Sequence, residues 1–369
     1  MQLLFATHLH EWGGGEQWML TAALAMAERG HSVTLAVPDN SVIARRARDK
    51  NLDVLPCGFV RDIDPVSWWT IFRFCVTRRV DVLCLNMDRV LRVAGGAARL
   101  AGVRAILPRR GSEFPLKSHL NYRWQYGFVS SGMIVNSKAT RDTLCRDISW
   151  RPRGTIHLLY NGLDLAPHAN TRARVDTRAD LDITDDALLL INVGELTSRK
   201  NAALLIRSLP AIIELRADTH VILVGSGTEA KALHALAHDC GVTEHVHLLG
   251  FREDVADLLA ASDLLVHCAH LEGFGFAVAE AGAAGIPAIG ARTSSVPEII
   301  VEGETGALFE DDSVADLVRA IGPYLQDQEL RRRHGVAGRA RVEEHFELSK
   351  QMSELEVIFE SECGKGTRS

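Results

Sequence analysis

The hydrophobic positions of this chain fall in short runs rich in Val, Ile and Leu: 3–6, 33–37, 82–85, 133–135, 188–193, 221–224, 264–266 and 288–290. Runs this short have the length of strands buried on both faces. Between them, apolar residues recur at helical spacing over 17–29, 202–215 and 313–321. The last of these opens on Ser313, a good N-cap, and is expected to stop at Gly322-Pro323. A further amphipathic helix is expected over 344–360. Strand and helix in alternation predict α/β sheets of parallel strands covered by helices on both sides. The pattern lapses once, over 161–186, where the chain is polar and carries no buried-strand signal. The reading is two Rossmann-like, doubly wound domains, 1–165 and 187–345, joined by a linker over 166–186. A terminal helix and tail follow over 346–369. Ligands of such sheets bind beyond the carboxyl ends of the strands, so two ligand-binding edges facing across a cleft are expected.

Composition narrows the class. A chain of 369 residues can bury two ordinary cores. No apolar run reaches the ~18 residues of a membrane span, and Met1 is not followed by a basic leader, so a cytoplasmic protein is expected. Seven Cys without a Cys-x-x-Cys pair read as reduced thiols rather than a disulfide or zinc framework. The net charge of −6 hides an asymmetry: residues 1–165 carry 22 Lys+Arg against 14 Asp+Glu, and the remainder 19 against 33. A basic first half suggests an anionic partner, either a phosphorylated acceptor or a membrane surface. No nucleic-acid motif accompanies it, and nucleic acid is set aside.

Three strand-to-helix turns carry candidate chemistry. The strongest is Glu272-Gly273-Phe274-Gly275-Phe276-Ala277-Val278-Ala279-Glu280, which follows the run 264–266. Gly273 and Gly275 let a ligand approach the backbone, and the helix start supplies N–H groups and a positive dipole end for an anion. Glu280, one turn into the helix, is placed to accept hydrogen bonds from a ribose diol, and Glu272 to hold sugar hydroxyls. The second turn, Gly194-Glu195-Leu196-Thr197-Ser198-Arg199-Lys200, follows 188–193 and offers two adjacent cations to a departing diphosphate. The third, Gly13-Gly14-Gly15-Glu16, follows the first strand, with His8 and His10 nearby. Neither it nor Gly225-Ser226-Gly227 completes a dinucleotide fingerprint, and no phosphate loop of the Walker type is present.

Together these residues resemble glycosyltransferase family 4, whose fold is GT-B. The likeness rests on Gly13-Gly14-Gly15-Glu16 with Arg29-Gly30-His31-Ser32-Val33, on Asn161-Gly162-Leu163-Asp164, on Arg199-Lys200, and on Glu272 and Glu280 with seven residues between them. Gly285-Ile286-Pro287, Val296-Pro297-Glu298-Ile299-Ile300 and Gly303-Glu304-Thr305-Gly306 extend it. Bacterial enzymes of lipopolysaccharide-core and surface-glycan synthesis are the relatives suggested. The resemblance implies transfer of a sugar from a nucleotide-diphosphate donor, UDP- or GDP-linked, to a glycan or lipid-linked acceptor, with retention at the anomeric carbon. It implies no metal and no cofactor beyond the donor itself. Arg199, Lys200 and Glu272 would be catalytic. Gly14, Gly15, Gly194, Phe251, Gly273, Phe274, Gly275, Phe276 and Glu280 would hold the donor, with Phe251 near the base. The terminal helix would cross back to the first domain.

The chain departs from the family pattern twice. Glu195 stands where an arginine is common, and the segment 108–117 lacks the family's frequent histidine. That segment instead supplies Arg110, Glu113 and Lys117 as acceptor-side candidates. A catalytically silent sugar-nucleotide or glycan-binding protein on the same fold is the alternative from another class. Finally, 68–79 combines aromatic residues with arginines. Trp69 and Phe74 fall off its apolar stripe, as an interface with the inner membrane surface would require, and 109–126 adds Arg109, Arg110, Lys117, Arg123 and Trp124.

Overall fold

The computed structural model describes residues 1–111 and 113–365. The chain forms two units, one from 1–161 with 349–369, the other from 162–348. The first contains a seven-stranded sheet. Its strands are β1 (Gln2–Ala6), β2 (Ser32–Val37), β3 (Asp53–Pro56), β4 (Val82–Asn86), β5 (Ala105–Arg110), β6 (Met133–Val135) and β7 (Ile156–Leu158). Their order is β3-β2-β1-β4-β5-β6-β7, with every described pairing parallel. The second unit has six strands: β8 (Leu188–Val193), β9 (Thr219–Val224), β10 (Val246–Gly250), β11 (Leu264–His267), β12 (Ala288–Ala291) and β13 (Gly306–Phe309). These run in the order β10-β9-β8-β11-β12-β13, again parallel. Central strands such as β1 and β8 are buried along most of their length, which is why they read as unbroken apolar runs. Both sheets are doubly wound, with the chain reversing direction across the sheet after β3 in one and β10 in the other.

Residues 166–186, read from their polarity as a linker, fold into the second unit as two short helices, Ala166–Ala169 and Arg174–Ala179. The signal missed was a buried arginine. Arg178 is 0% exposed; its Nη2 reaches Asp263 Oδ2 at 2.7 Å, and its remaining donors go to the carbonyls of Ala261, Thr184, Asp185 and Ala187. The expected helix over 344–360 is broken. One helix runs Gln328–His345, and another Leu348–Lys365. At the break the Leu163 N–H donates to the Phe346 carbonyl and the Leu348 N–H to the Leu163 carbonyl, at 2.7 and 3.0 Å. The terminal helix then packs on the first unit, with Phe359 6.1 Å from Phe5 and Glu356 2.8 Å from His31. Ser313 caps its helix as expected, but the helix continues through Gly322-Pro323 to Gln326, because Tyr324 and Leu325 beyond the proline are buried in the core.

Candidate active site

The ligand edge of the second unit is set by where β8 and β11 part. They pair only over Leu264↔Leu190 and Leu265↔Ile191. Beyond that the buried side chain of Asn192 spans the opening and donates to the Val266 carbonyl at 2.7 Å. A crevice therefore begins at the reversal of strand order, where open α/β sheets bind their ligands. The turns after these two strands are the two richest motifs of the sequence.

From the β8 side, the Lys200 stem folds over Gly194, its Cδ 3.6 Å from where a Cβ on that glycine would lie. Its ammonium pairs with Glu272 Oε2 from the β11 side. Arg199 is exposed and donates through Nη1 to the Leu271 carbonyl at 3.0 Å. Glu195 is exposed, and Arg199 and Lys200 supply the cations of this loop. Glu272 is further fixed by Gly273 N–H to Oε1 at 3.2 Å and by its own N–H to Ser294 Oγ at 3.2 Å. His267, 2% exposed at the end of β11, brings Nε2 within 3.3 Å of the same Oε2. Burial pushes the Glu272 carboxyl up, but His267 and the Lys200 ammonium outweigh it and hold the group at about 2, ionised at any ordinary pH.

Gly275 ends this turn at φ +96, a left-handed conformation in which a side chain is strained, and caps the helix Phe276–Ala283. The N–H groups of Gly275 and Phe276 have no acceptor among the described residues. At the far end Gly285, at φ +75, closes the helix with Ile286 N–H on the Ala281 carbonyl. Glu280 lies largely buried on this helix with no hydrogen bond or ion pair to its carboxylate among the described residues, and burial raises its pKa. An ionisable group in a ligand crevice without a partner points to an outside ligand. Phe274, expected to touch the donor, is 3% exposed and packs edge-on against Phe276 and Phe346 at 5.3 and 5.5 Å. Only its backbone belongs to the site. Phe251 follows β10 and is 72% exposed, its ring open to a ligand. The glycines of Gly225-Ser226-Gly227 serve the neighbouring loop. Cβ atoms there would lie 1.9 Å from the Gly194 carbonyl and 2.2 Å from that of Leu196.

In the first unit, Gly13 caps the helix Gly14–Glu28, and a Cβ on Gly14 would meet nothing within 4 Å, so no protein contact requires that glycine. Gly15 is bound through its carbonyl by Asn86 Nδ2 at 3.1 Å. Two charges of the sequence motifs are buried, Arg109 among them although it was expected at a membrane-facing surface. Glu16, 2% exposed, accepts from Thr7 Oγ1 at 3.2 Å. Arg109 donates to Asn161 Oδ1 at 2.6 Å and lies 4.2 Å over the Trp18 ring, its pKa lowered by burial to about 10. Arg110 ends β5 and is taken up by Asp88 at 2.7 Å, whose carboxylate also accepts from Tyr122 and Tyr126. Glu113 is half-buried in the following loop and Lys117 is exposed. The Asp62-x-Asp64 pair is structural: Asp64 caps the helix Pro65–Arg78 through Ser67 N–H, and Asp62 pairs with Arg92 at 2.6 Å. Among the described residues no group of three or more His, Cys, Asp or Glu is arranged to hold a metal ion.

The chain and its fold have known relatives. Residues 12–167 match the family model described as Glycosyltransferase Family 4, and residues 174–341 the model described as Glycosyl transferases group 1. The chain belongs to glycosyltransferase family 4, and it is a glycosyltransferase of group 1 type. Among curated relatives, N-acetyl-alpha-D-glucosaminyl L-malate synthase of Bacillus anthracis is 30% identical over 57% of this chain, a match spanning about half (54%) of that protein. A GDP-mannose-dependent monoacylated phosphatidylinositol monomannoside mannosyltransferase of Corynebacterium glutamicum is 27% identical, covering 95% of each chain. The lipopolysaccharide core biosynthesis glycosyltransferase LpsE of Rhizobium meliloti is 29% identical over 89% of this chain and 90% of its own. The crystal structure of Anabaena HepE in complex with UDP superposes with a TM-score of 0.84 at 19% identity, over 98% of this chain and 100% of that one. The fold is thus GT-B, built from two Rossmann-like units.

Proposed function

We propose that the protein is a retaining, metal-independent hexosyltransferase. It moves a sugar from a nucleotide-diphosphate donor, UDP- or GDP-linked, to a glycan or lipid-linked acceptor of a bacterial surface polysaccharide. The observation that carries this is the crevice between β8 and β11, where Lys200 and Glu272 meet beside a glycine-led helix bearing the partnerless Glu280. The donor diphosphate lies against Lys200, Arg199 and the N–H groups at Gly275 and Phe276, which take up the charge that develops as the sugar–oxygen bond breaks. Glu272 accepts hydrogen bonds from the sugar hydroxyls, Glu280 from the ribose diol, and Phe251 stacks on the base. Support for a nucleotide-sugar donor comes from HepE, crystallised with UDP and with UDP-glucose, and from the GDP-mannose-dependent relative.

Glu280 supplies the test. Its pKa is raised in the folded protein, so the protonated carboxyl favours folding at acid pH and that contribution is lost as pH rises through the folded value. At neutral pH it is a cost that only a ligand relieves. Glu280→Gln is therefore expected to stabilise the free protein, by about 0.5–2 kcal/mol, while weakening the cognate nucleotide sugar in isothermal titration. A variant that is destabilised and binds normally would return Glu280 to a structural role.

The first unit bears the acceptor side, with Glu113 and Lys117 nearest the expected contact, and it meets the inner membrane surface peripherally. No helix among the described residues is long and apolar enough to cross a membrane. Val60, Ile63, Val66, Trp69, Leu120, Trp124 and Phe128 are all exposed, and so are Arg61, Arg73, Lys117 and Arg123. Such a concentration of apolar surface suits a partner of membrane type. Three members of the expected surface are withdrawn: Phe74 packs on the core, and Arg109 and Arg110 are engaged internally. Four cations near an anionic leaflet contribute about 1 kcal/mol each. Co-sedimentation with anionic vesicles is expected at low salt and lost at high salt, and Trp69→Ser should weaken it. Absence of binding at low salt would remove the membrane from this account.

A further inference from the structure

Lys200 has one ammonium and two demands on it. In this structure it holds Glu272 Oε2; in the reaction proposed above it must face the diphosphate. Its flexible stem lies over a glycine, so the turn is sterically open. The difficulty falls on Glu272, whose side chain is only 12% exposed. Without Lys200 it would retain the Gly273 N–H on Oε1, and no aligned hydrogen bond would reach Oε2. A buried carboxylate left this way is costly and poorly oriented.

We infer that His267 is the second holder of Glu272, a positioning residue that takes up Oε2 when Lys200 turns to the donor. The inference rests on the donor-site reading. His267 ends β11 and is fixed by the sheet, 2% exposed. Its Nε2 is buried without an aligned hydrogen-bond partner, yet lies 3.3 Å from the same oxygen that Lys200 occupies. A histidine kept only for packing would not leave a buried nitrogen beside a carboxylate. With Nε2–H turned to Oε2, Glu272 stays ionised and aimed at the sugar hydroxyls while the cation does its work on the phosphates. His267 touches neither donor nor acceptor; it acts through Glu272.

The test separates sugar from nucleotide. UDP, GDP, UDP-glucose and GDP-mannose are titrated into the wild type, His267→Leu and His267→Gln. The Leu variant is expected to bind the bare nucleoside diphosphate within about twofold of wild type, to lose the preference for the sugar-bearing form, and to lose about 10- to 100-fold in kcat. The Gln variant, whose amide nitrogen reaches the Nε2 position, should recover most of both. A Leu variant that keeps its sugar preference, or that loses bare nucleotide equally, would overturn the role of His267. A wild type that binds none of the four would overturn the donor-site reading itself. Should the Leu variant not fold, nitrogen NMR of the histidine-labelled wild type decides. The His267 Nε2 signal must move on adding nucleoside diphosphate and in Glu272→Gln, and a signal indifferent to both refutes the inference.

Discussion

Lys200→Ala is expected to lower turnover about 10²- to 10³-fold, the scale of losing one preorganised donor to a developing anion. The ammonium is half of an ion pair set across the opening between β8 and β11, and its side chain is 17% exposed. Its charge therefore acts in a partly water-excluded site, where it is worth more than at the surface. Ground-state binding of the donor should fall less than turnover, because the charge on the leaving diphosphate grows as the bond breaks. Removing Lys200 also takes one of the two groups holding Glu272 ionised, so the carboxyl's pKa should rise from about 2. Steady-state kinetics on the folded variant, checked by circular dichroism, measures the first effect. Unchanged kcat would take Lys200 out of the catalytic step.

Arg178→Leu is expected to destabilise the second unit by roughly 3–5 kcal/mol, the cost of breaking a buried pair by removing one partner. Asp263 would retain Arg174 at 2.7 Å and the Leu189 N–H at 2.8 Å, but the carbonyls of Thr184, Asp185 and Ala187 would lose the Arg178 donor and that of Ala261 would keep only Arg174. Arg178 ties the residues 174–187 to the end of the helix before β11, beside Arg174, so this segment should loosen first. At about 2–4 °C per kcal/mol for a unit of this size, the loss is a fall in Tm of roughly 6–20 °C. A shift under 2 °C would mean that the segment is held by something else.

What the chain reveals by inspection divides along a physical line. Buried parallel strands announce themselves as apolar runs, so both sheets were legible, as were the turns after β8 and β11 where function was sought. Glu272 and Lys200 could be nominated separately, but nothing in their spacing says that they pair, since they lie 72 residues apart. Buried polar residues were the systematic omission. Arg178, Arg109, Glu16 and His267 are of types usually found at the surface; Arg178 and Arg109 are folded inward by partners distant in the chain, Glu16 and His267 beside Thr7 and Glu272, which lie close by in sequence. The same blindness turned a packed segment into a linker. Gly225 and Gly227 show the converse: a motif suggestive of phosphate binding is needed so that one loop can lie on the next.

The proposed reaction breaks the sugar–phosphate bond of a nucleotide sugar at the β8–β11 crevice, with retention and without a metal. Proton NMR of the wild type, incubated with chelator and a panel of UDP- and GDP-linked hexoses, tests it most directly. One donor should be consumed, the sugar appearing first, free or transferred, in the donor's own anomeric configuration. The rate should be unaffected by chelator and should collapse in Lys200→Ala. A panel left intact, an inverted product, or turnover that returns only on adding Mn²⁺ or Mg²⁺ would contradict it.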